Sequence, residues 1–292
     1  MGVLVAAAGA AADVITLTDQ NSSVTFDTGS AAFQTAWAVD GRNYLATQGF
    51  WYRIGDAGGE SPLAALGLAA APGVFDTSGD GSPDWLSLTY GTAPLKVTLT
   101  FPLTGGLAGS GWSSMTESIT VKNTGSTPMN LHFFQYADFN LGGDGSNDTV
   151  EITGQNTARQ TAGLAVLSET VETPTPAYRR ADLSPVIANS LADGAPTVLG
   201  NVPGPVTGDA TWAFQWDFLG MASGESDVIS KVQHLEVPEP ATLALMGLGA
   251  AGLVARRFRR KLGGAGGGRP PDCGAGAARL LTRRGRWGRR RR

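Results

Sequence analysis

Trp212-Ala213-Phe214-Gln215-Trp216-Asp217-Phe218 carries an aromatic ring at every second position. In an extended chain successive side chains point to opposite faces, so Trp212, Phe214, Trp216 and Phe218 share one face and Ala213, Gln215 and Asp217 the other. A helix would scatter the four rings around its axis. The segment therefore reads as a strand of an antiparallel sheet, with the aromatic face as core.

The same period recurs outward from it. Lys96–Phe101 places Val97, Leu99 and Phe101 on one face, and Ser118–Lys122 sets Ile119 and Val121 against Ser118, Thr120 and Lys122. Further strand candidates are Val14–Leu17, Val24–Phe26, Tyr44–Ile54, Trp85–Tyr90, Leu131–Tyr136, Thr149–Ile152, Leu164–Ser168 and Asp227–His234. Turn chemistry separates them at Asn123–Pro128 and at Gly142–Asn147. The strand Glu117–Thr124 and the run Asn130–Tyr136 look like the two arms of a hairpin. No amphipathic helix of three turns stands out, and no repeat of fixed period. The Pro-rich stretches Pro174–Pro176 and Pro203–Pro205 do not divide the body, because strand-like sequence resumes after each. Many short strands imply an all-β fold, an antiparallel β-sandwich over 13–236.

Composition agrees. Of 292 residues, 41 are Gly and only 16% are charged, as in a turn-rich β protein. The net charge of −3 hides an asymmetry: Asp13–Glu236 holds 23 acidic and 8 basic side chains, whereas Arg256–Arg292 holds 14 basic side chains and one acid. An acidic body argues against nucleic-acid binding and suits cations. The single cysteine, Cys273, lies in the tail, so the body has no disulfide, Cys-based metal site or Cys nucleophile.

Both ends read as targeting sequence. Val3–Ala12 is an apolar, small-residue run with an Ala-x-Ala pattern at Ala10 and Ala12; cleavage after Ala12 would free Asp13. It reads as a truncated signal peptide over 1–12, since the basic n-region is missing and a start upstream of Met1 is expected. At the other end Val237-Pro238-Glu239-Pro240 precedes the uncharged span 241–255 and then the basic cluster Arg256, Arg257, Arg259, Arg260 and Lys261. As a helix the span is roughly 22 Å long, at about 1.5 Å per residue. That is short for a bilayer core of about 30 Å, and the cluster acts as a cytoplasmic stop. The expectation is a short C-terminal transmembrane helix.

The order of motif, short span and basic stop over 237–261 resembles the PEP-CTERM sorting signal of Gram-negative, exopolysaccharide-producing bacteria. The resemblance implies recognition by an exosortase, a membrane-embedded transpeptidase-like enzyme that cuts near Pro238–Pro240. It also implies passage through the inner membrane to the outer envelope, cell surface or extracellular matrix. The body, with segments such as HFFQYADFNLGG and WAFQWDF, is similar to those of other PEP-CTERM proteins. The family signal ends close to its basic cluster, whereas residues 262–292 continue as a Gly- and Arg-rich stretch. That stretch reads as a frameshifted or read-through end, the alternative being a genuine disordered basic tail that binds anionic lipid on the cytoplasmic side. Gly247-Leu-Gly249-Ala-Ala-Gly252 matches a dinucleotide-binding pattern literally, but inside an apolar span its glycines are small residues of a membrane helix.

The sharpest chemical motif of the body is Asp76-Thr77-Ser78-Gly79-Asp80-Gly81-Ser82-Pro83-Asp84. Its oxygen side chains fall in a register that can wrap one hard cation, with Gly81 at the sharp turn. It resembles the calcium loops of EF-hand, dockerin and thrombospondin-type repeats, although Ser78 stands at the third position and Ser87 where an EF-hand has Glu. The resemblance implies Ca²⁺ held by Asp76, Ser78, Asp80 and Asp84, with Ser82 giving its carbonyl. A second acidic loop, Asp138, Asp144, Asn147 and Asp148, has oxygens without a register. His132 and His234 fall on separate strands and read as packed or surface residues. Trp37, Trp51, Tyr52, Trp85 and Trp112 could stack on sugars, whereas Trp212–Phe218 belongs to the core.

No nucleophile elbow, HExxH or Walker loop is present. The reading is therefore a non-catalytic, exported, exosortase-sorted protein, structural or adhesive in an exopolysaccharide-rich envelope. The alternatives are a carbohydrate-binding module or a secreted polysaccharide-active enzyme.

Overall fold

Alternating apolar residues dictate pairing between strands, and the computed structural model, which describes residues 13–238 other than Asp144, realises it in two sheets. Its strands are β1 (Val14–Asp19), β2 (Ser22–Asp27), β3 (Gln34–Val39), β4 (Arg42–Asn43), β5 (Leu45–Ile54), β6 (Ser61–Pro62), β7 (Gly73–Phe75), β8 (Trp85–Tyr90), β9 (Leu95–Gly105) and β10 (Trp112–Asn123). They continue as β11 (Met129–Phe139), β12 (Asp148–Thr153), β13 (Thr157–Ala162), β14 (Ala165–Thr173), β15 (Tyr178–Leu183), β16 (Asn201–Val202), β17 (Val206–Gly208), β18 (Ala210–Met221) and β19 (Ser226–Glu236). One short helix, α1 (Val186–Ala192), interrupts the run.

The first sheet runs β1-β2-β3-β5-β11-β18-β15-β16, with β4 beside β3 and β6 beside β5. The second runs β17-β12-β13-β14-β19-β10-β9-β8-β7. Named strands pair antiparallel throughout, except β15 with β16. The expected hairpin of β10 and β11 does not form. β10 lies between β9 and β19 in the second sheet, and β11 between β5 and β18 in the first. The chain crosses between layers at Asn123–Pro128 because Asn123 pins the corner. Its Nδ2 donates to the carbonyls of Thr127 and Met221, both at 2.8 Å, while the Thr124 and Gly125 amides bond to Pro94 O.

Between the sheets the aromatic strand does what its period predicts. Trp212, Phe214 and Trp216 are fully buried with Phe26, Phe33, Phe50, Phe101, Phe133 and Phe139, and Phe218 packs at the margin. Phe139 stacks on Trp212 with centroids 5.6 Å apart. Each such side chain contributes about 1.5–3 kcal/mol through the water it sheds.

A polar layer is set into this apolar core. Lys231 on β19, Glu117 on β10 and Glu169 on β14 have no exposed surface. Lys231 Nζ lies 2.6 Å from Glu117 Oε2 and 3.2 Å from Glu169 Oε1. Gln48 Nε2 donates to Glu117 Oε1 at 2.6 Å, and Gln233 Nε2 donates to Gln48 Oε1 at 2.6 Å and to Glu169 Oε2 at 2.8 Å. Gln135 Nε2 and Trp212 Nε1 also donate to Glu169 Oε2, at 2.9 and 3.2 Å. The Phe50 ring stands 5.4 Å from the ammonium.

The last strand is central to its sheet, between β14 and β10, and its end is fixed by a close backbone approach. Val237 N donates to Gly111 O at 2.7 Å. Gly111 has φ +64°, and a Cβ there would meet Val237 O at 2.2 Å. Gly111→Ala should therefore destabilise the fold by about 1–3 kcal/mol, from left-handed backbone strain alone and more from the clash. It should also open the chain at Val237 to protease before the rest of the body. An unchanged urea midpoint and cleavage pattern would contradict this packing.

Candidate functional site

The face of the first sheet that looks away from the second is covered at its centre. Trp51, Phe134, Tyr136 and Ala213 are buried there against Ile187, Leu191 and Leu199 of the α1 region. Consequently β11 is buried on both faces from Leu131 to Phe139. Polar groups fasten the cover. Arg53 pairs with Glu60, whose side chain is fully buried, and Arg53 Nη1 donates to Thr197 O at 3.1 Å. Glu60 Oε1 accepts the Thr197 amide at 2.9 Å, and Gln215 Oε1 accepts the Leu199 amide at 3.0 Å.

Gln215 leads into a relay. Its Nε2 donates to Asp217 Oδ1 at 2.8 Å, and the same oxygen lies 2.7 Å from His132 Nδ1. His132 Nε2 lies 3.2 Å from Asp56 Oδ1, and Asn130 Nδ2 donates to both Asp56 oxygens at 3.1 Å. The bonds from Asn130 and His132 hold the Asp56 carboxyl below the usual range. These groups anchor and orient. The neighbouring cleft of about 460 Å³ is lined by Ile54, Gly55, Met129, Asn130 and Gly220 among others, and no titratable side chain faces it. The His132–Asp217 contact joins residues far apart in sequence, while the Arg53–Glu60 pair spans the short loop after β5; spacing carries no signal of either.

The Asp76–Asp84 loop joins β7 to β8 at the edge of the second sheet. Asp76, Ser78 and Asp80 are exposed, Ser82 is half-buried and Asp84 is buried. The Asp76 carboxylate accepts the amides of Gly79 at 2.6 Å and Gly81 at 2.8 Å, and Asp80 accepts that of Ser82 at 2.8 Å. Asp84 turns inward and accepts from the Thr77 amide and hydroxyl and from the Ser78 amide, at 2.7–2.8 Å. Burial acts to raise the Asp84 carboxyl, and the bonds from Thr77 and Ser78 outweigh it and hold it low. Among the described residues no three or more His, Cys, Asp or Glu side chains are grouped to hold a metal ion.

The other sequence candidates separate. His132 is buried on the outer face of the first sheet, and His234 is exposed on the second. Trp37 is not open to a sugar: it has no exposed surface, and its Nε1 donates to Ser113 Oγ at 2.9 Å between the sheets. Trp51 lies under the cover and Tyr52 packs against the inner core. Trp85 and Trp112 are half-buried. Trp85 meets the 53% exposed Phe75 edge to face, with centroids 5.1 Å apart.

At the C-terminal end the sandwich and the sorting segment meet without a spacer. β19 ends at Glu236, Val237 is buried and tied to Gly111, and the PEP-CTERM protein-sorting motif matches residues 236–261. The chain carries a PEP-CTERM sorting motif. The PEP-CTERM motif implies export to the envelope and processing by an exosortase. Of its residues, Glu239, Pro240, the span 241–255 and the basic cluster Arg256, Arg257, Arg259, Arg260 and Lys261 lie outside the described residues, as do 1–12 and 262–292. Among the described residues no helix is long and apolar enough to cross a membrane.

No curated protein matches the chain. Among solved structures, a bacterial glucoamylase complexed with acarbose is similar at 9% identity and TM-score 0.53, over 84% of this chain and 35% of that one. A galactose mutarotase-like protein from Lactobacillus casei ATCC 334 is similar at 11% identity and TM-score 0.44, over 77% of this chain and 100% of that one. The chain thus shares its fold with about a third of the glucoamylase.

The second acidic loop resolves into single roles. Asp148 accepts the Leu141 and Gly142 amides at 2.9 and 3.1 Å and Gln160 Nε2 at 2.6 Å. Asn147 is exposed at the end of the surface turn, directly before β12, and Asp144 lies outside the described residues. Asp138 is buried, bonded to the Tyr136 and Ser184 hydroxyls at 3.2 and 3.3 Å. Burial first, and then the charges of Asp209 and Asp148, push its carboxyl from 3.8 up to about 6. A carboxyl raised in the folded state stabilises the fold below its unfolded pKa, and that contribution is lost as pH rises through the folded value. Between pH 4 and pH 6 the unaltered protein should therefore lose stability from this group, and Asp138→Asn should flatten that slope in pH-dependent melts. Parallel curves for the two proteins would refute it.

Proposed function

We propose that the sandwich is the structural or adhesive body of an envelope protein, set free or handed on by exosortase cleavage at Val237-Pro238-Glu239-Pro240. The observation that carries this is the junction: the last central strand ends at Glu236, and the motif starts there. Cleavage near Pro238–Pro240 leaves every described strand intact, so the cut body keeps its fold. In a host with an exosortase, replacing Pro238-Glu239-Pro240 by three alanines should leave a longer, membrane-associated species. The unaltered chain should yield the shorter body in the envelope or medium. Equal sizes and distribution of the two would overturn the proposal.

A second reading, binding of matrix polysaccharide, is favoured by Phe75 and Trp85. Together they form an aromatic pair, Phe75 exposed and Trp85 half-buried, on the edge strand β7 and its neighbour β8, beside the Asp76–Asp84 loop. The glucoamylase that shares the fold is complexed with acarbose. Flat rings stack on sugars, and losing one aromatic contact of about 0.5–1.5 kcal/mol costs up to about tenfold in Kd. Phe75→Ala and Trp85→Ala should weaken retention of the protein on purified exopolysaccharide by that order. Retention that is absent in the unaltered protein, or indifferent to both changes, would rule this reading out.

A further inference from the structure

We propose that Lys231 and Glu117 become joined by an autocatalytic amide bond across β19 and β10, with Glu169 as the acid–base group. The two side chains face each other in register, Glu117 opposite Lys231, on paired antiparallel strands. Lys231 Nζ is already 2.6 Å from Glu117 Oε2, and neither side chain has any exposed surface. The two groups form an ion pair at contact distance, so the amine nitrogen already stands beside the carboxyl group. Holding the reacting groups at contact distance removes the entropic part of the barrier.

The neighbours supply the remaining parts. An attack on the carboxyl carbon puts negative charge on Glu117 Oε1, where Gln48 Nε2 donates at 2.6 Å. Glu169 Oε1 lies 3.2 Å from Nζ, within reach of its proton, while its Oε2 is fixed by Gln135, Gln233 and Trp212. Burial, together with the charge of Glu169, raises the Glu117 carboxyl against the pull of Lys231, which favours the acid form that an amine attacks.

The atoms balance without any further reactant. Glu169 takes a proton from the ammonium, and the neutral amine bonds to Glu117 Cδ. The Cδ–Oε2 bond breaks, and that oxygen leaves as water. The amide nitrogen keeps one hydrogen, and Glu169 retains the proton that is left over. The driving force is the one that opposes buried charge: an ammonium and a carboxylate held away from water are replaced by neutral groups. Water, which would reverse the reaction, is kept out by the surrounding rings, with Phe50 5.4 Å from Nζ. The inference does not depend on the sorting route.

Intact mass spectrometry of the purified, unfolded full chain decides it, together with a peptide map. The unaltered protein should weigh one water less than its sequence requires, resist trypsin after Lys231, and yield a branched peptide joining Lys231 to Glu117. Glu169→Gln keeps the shape and removes the base; it should fold, by circular dichroism, and stay at full mass. Lys231→Met should also stay at full mass, and if it does not fold the peptide map of the unaltered chain still decides. A folded, unaltered protein at full mass overturns the proposal, as does a branch from Lys231 to Glu169 or to a glutamine. Unchanged cross-linking in Glu169→Gln overturns the role of Glu169.

Discussion

A lysine enclosed between two sheets is the constraint to which the rest of this core is fitted. Taking an ammonium and a carboxylate out of water costs several kcal/mol per ion, recovered only if geometry is good and every remaining lone pair is answered. Around Lys231 the bonds come from both layers, although Gln135 Oε1 and Gln233 Oε1 are left without a partner. Glu117, Glu169 and Gln233 belong to the second sheet, and Gln48, Gln135 and Trp212 to the first. Apolar packing alone would let the sheets slide by a residue or a strand. A bonded polar layer does not, because a slip leaves charges unpaired in a low-dielectric interior. The layer therefore fixes the register of β5 and β11 over β10, β14 and β19, and the aromatic rings fill in around it.

The second layer of order lies outside. A sheet in a two-layer sandwich usually leaves one face to water. Here the α1 region closes the centre of the first sheet, so the middle of β11 meets protein on both sides. Besides its apolar contacts, the cover is held by Arg53, Glu60 and Gln215, which bond its backbone at Thr197 and Leu199. The His132–Asp217–Asp56 relay then locks the strand ends beside it. The polar residues that look most like chemistry on this face are bonded to one another and to the cover.

How much of this was legible depends on what each strand faces. β8 has its expected bounds, and β9 buries the expected face of Val97, Leu99 and Phe101 while running further, from Leu95 to Gly105. The rings of Trp212–Phe218 announced a core strand for the same reason. β13 was missed because Thr157–Ala162 is polar, although Ala158 and Gln160 point inward; Gln160 Nε2 donates to Phe139 O and Asp148. β19 was found but its inner face was not. Val228 and Val232 argue for one phase, yet the chain buries the other, with Ile229, Lys231, Gln233 and Leu235. Glu117, by contrast, was in phase with Ile119 and Val121 from the start, and only the habit of placing charges outside hid it. The β10–β11 hairpin failed because a six-residue turn is compatible both with a hairpin and with a change of layer, and the bonds of Asn123 that choose between them are long-range. The sorting motif was fully legible, since it is read as linear sequence before any fold exists.

That difference in reading couples folding to sorting. β19 lies between β14 and β10, and most of its partners are far back in the chain, so the second sheet cannot close until residues up to Glu236 are available. Pairings of such long range form late, after the loop-closure entropy has been met. The sorting motif begins at the residue where that strand ends. A body still lacking β19 has an open sheet edge on β10 and another on β14, with Glu117 and Glu169 unpaired between them. Once β19 is in place the edges close, the ion pair forms, and Val237 is drawn against Gly111. The same step that completes the core thus fixes the backbone as far as Val237, where the sorting segment has already begun.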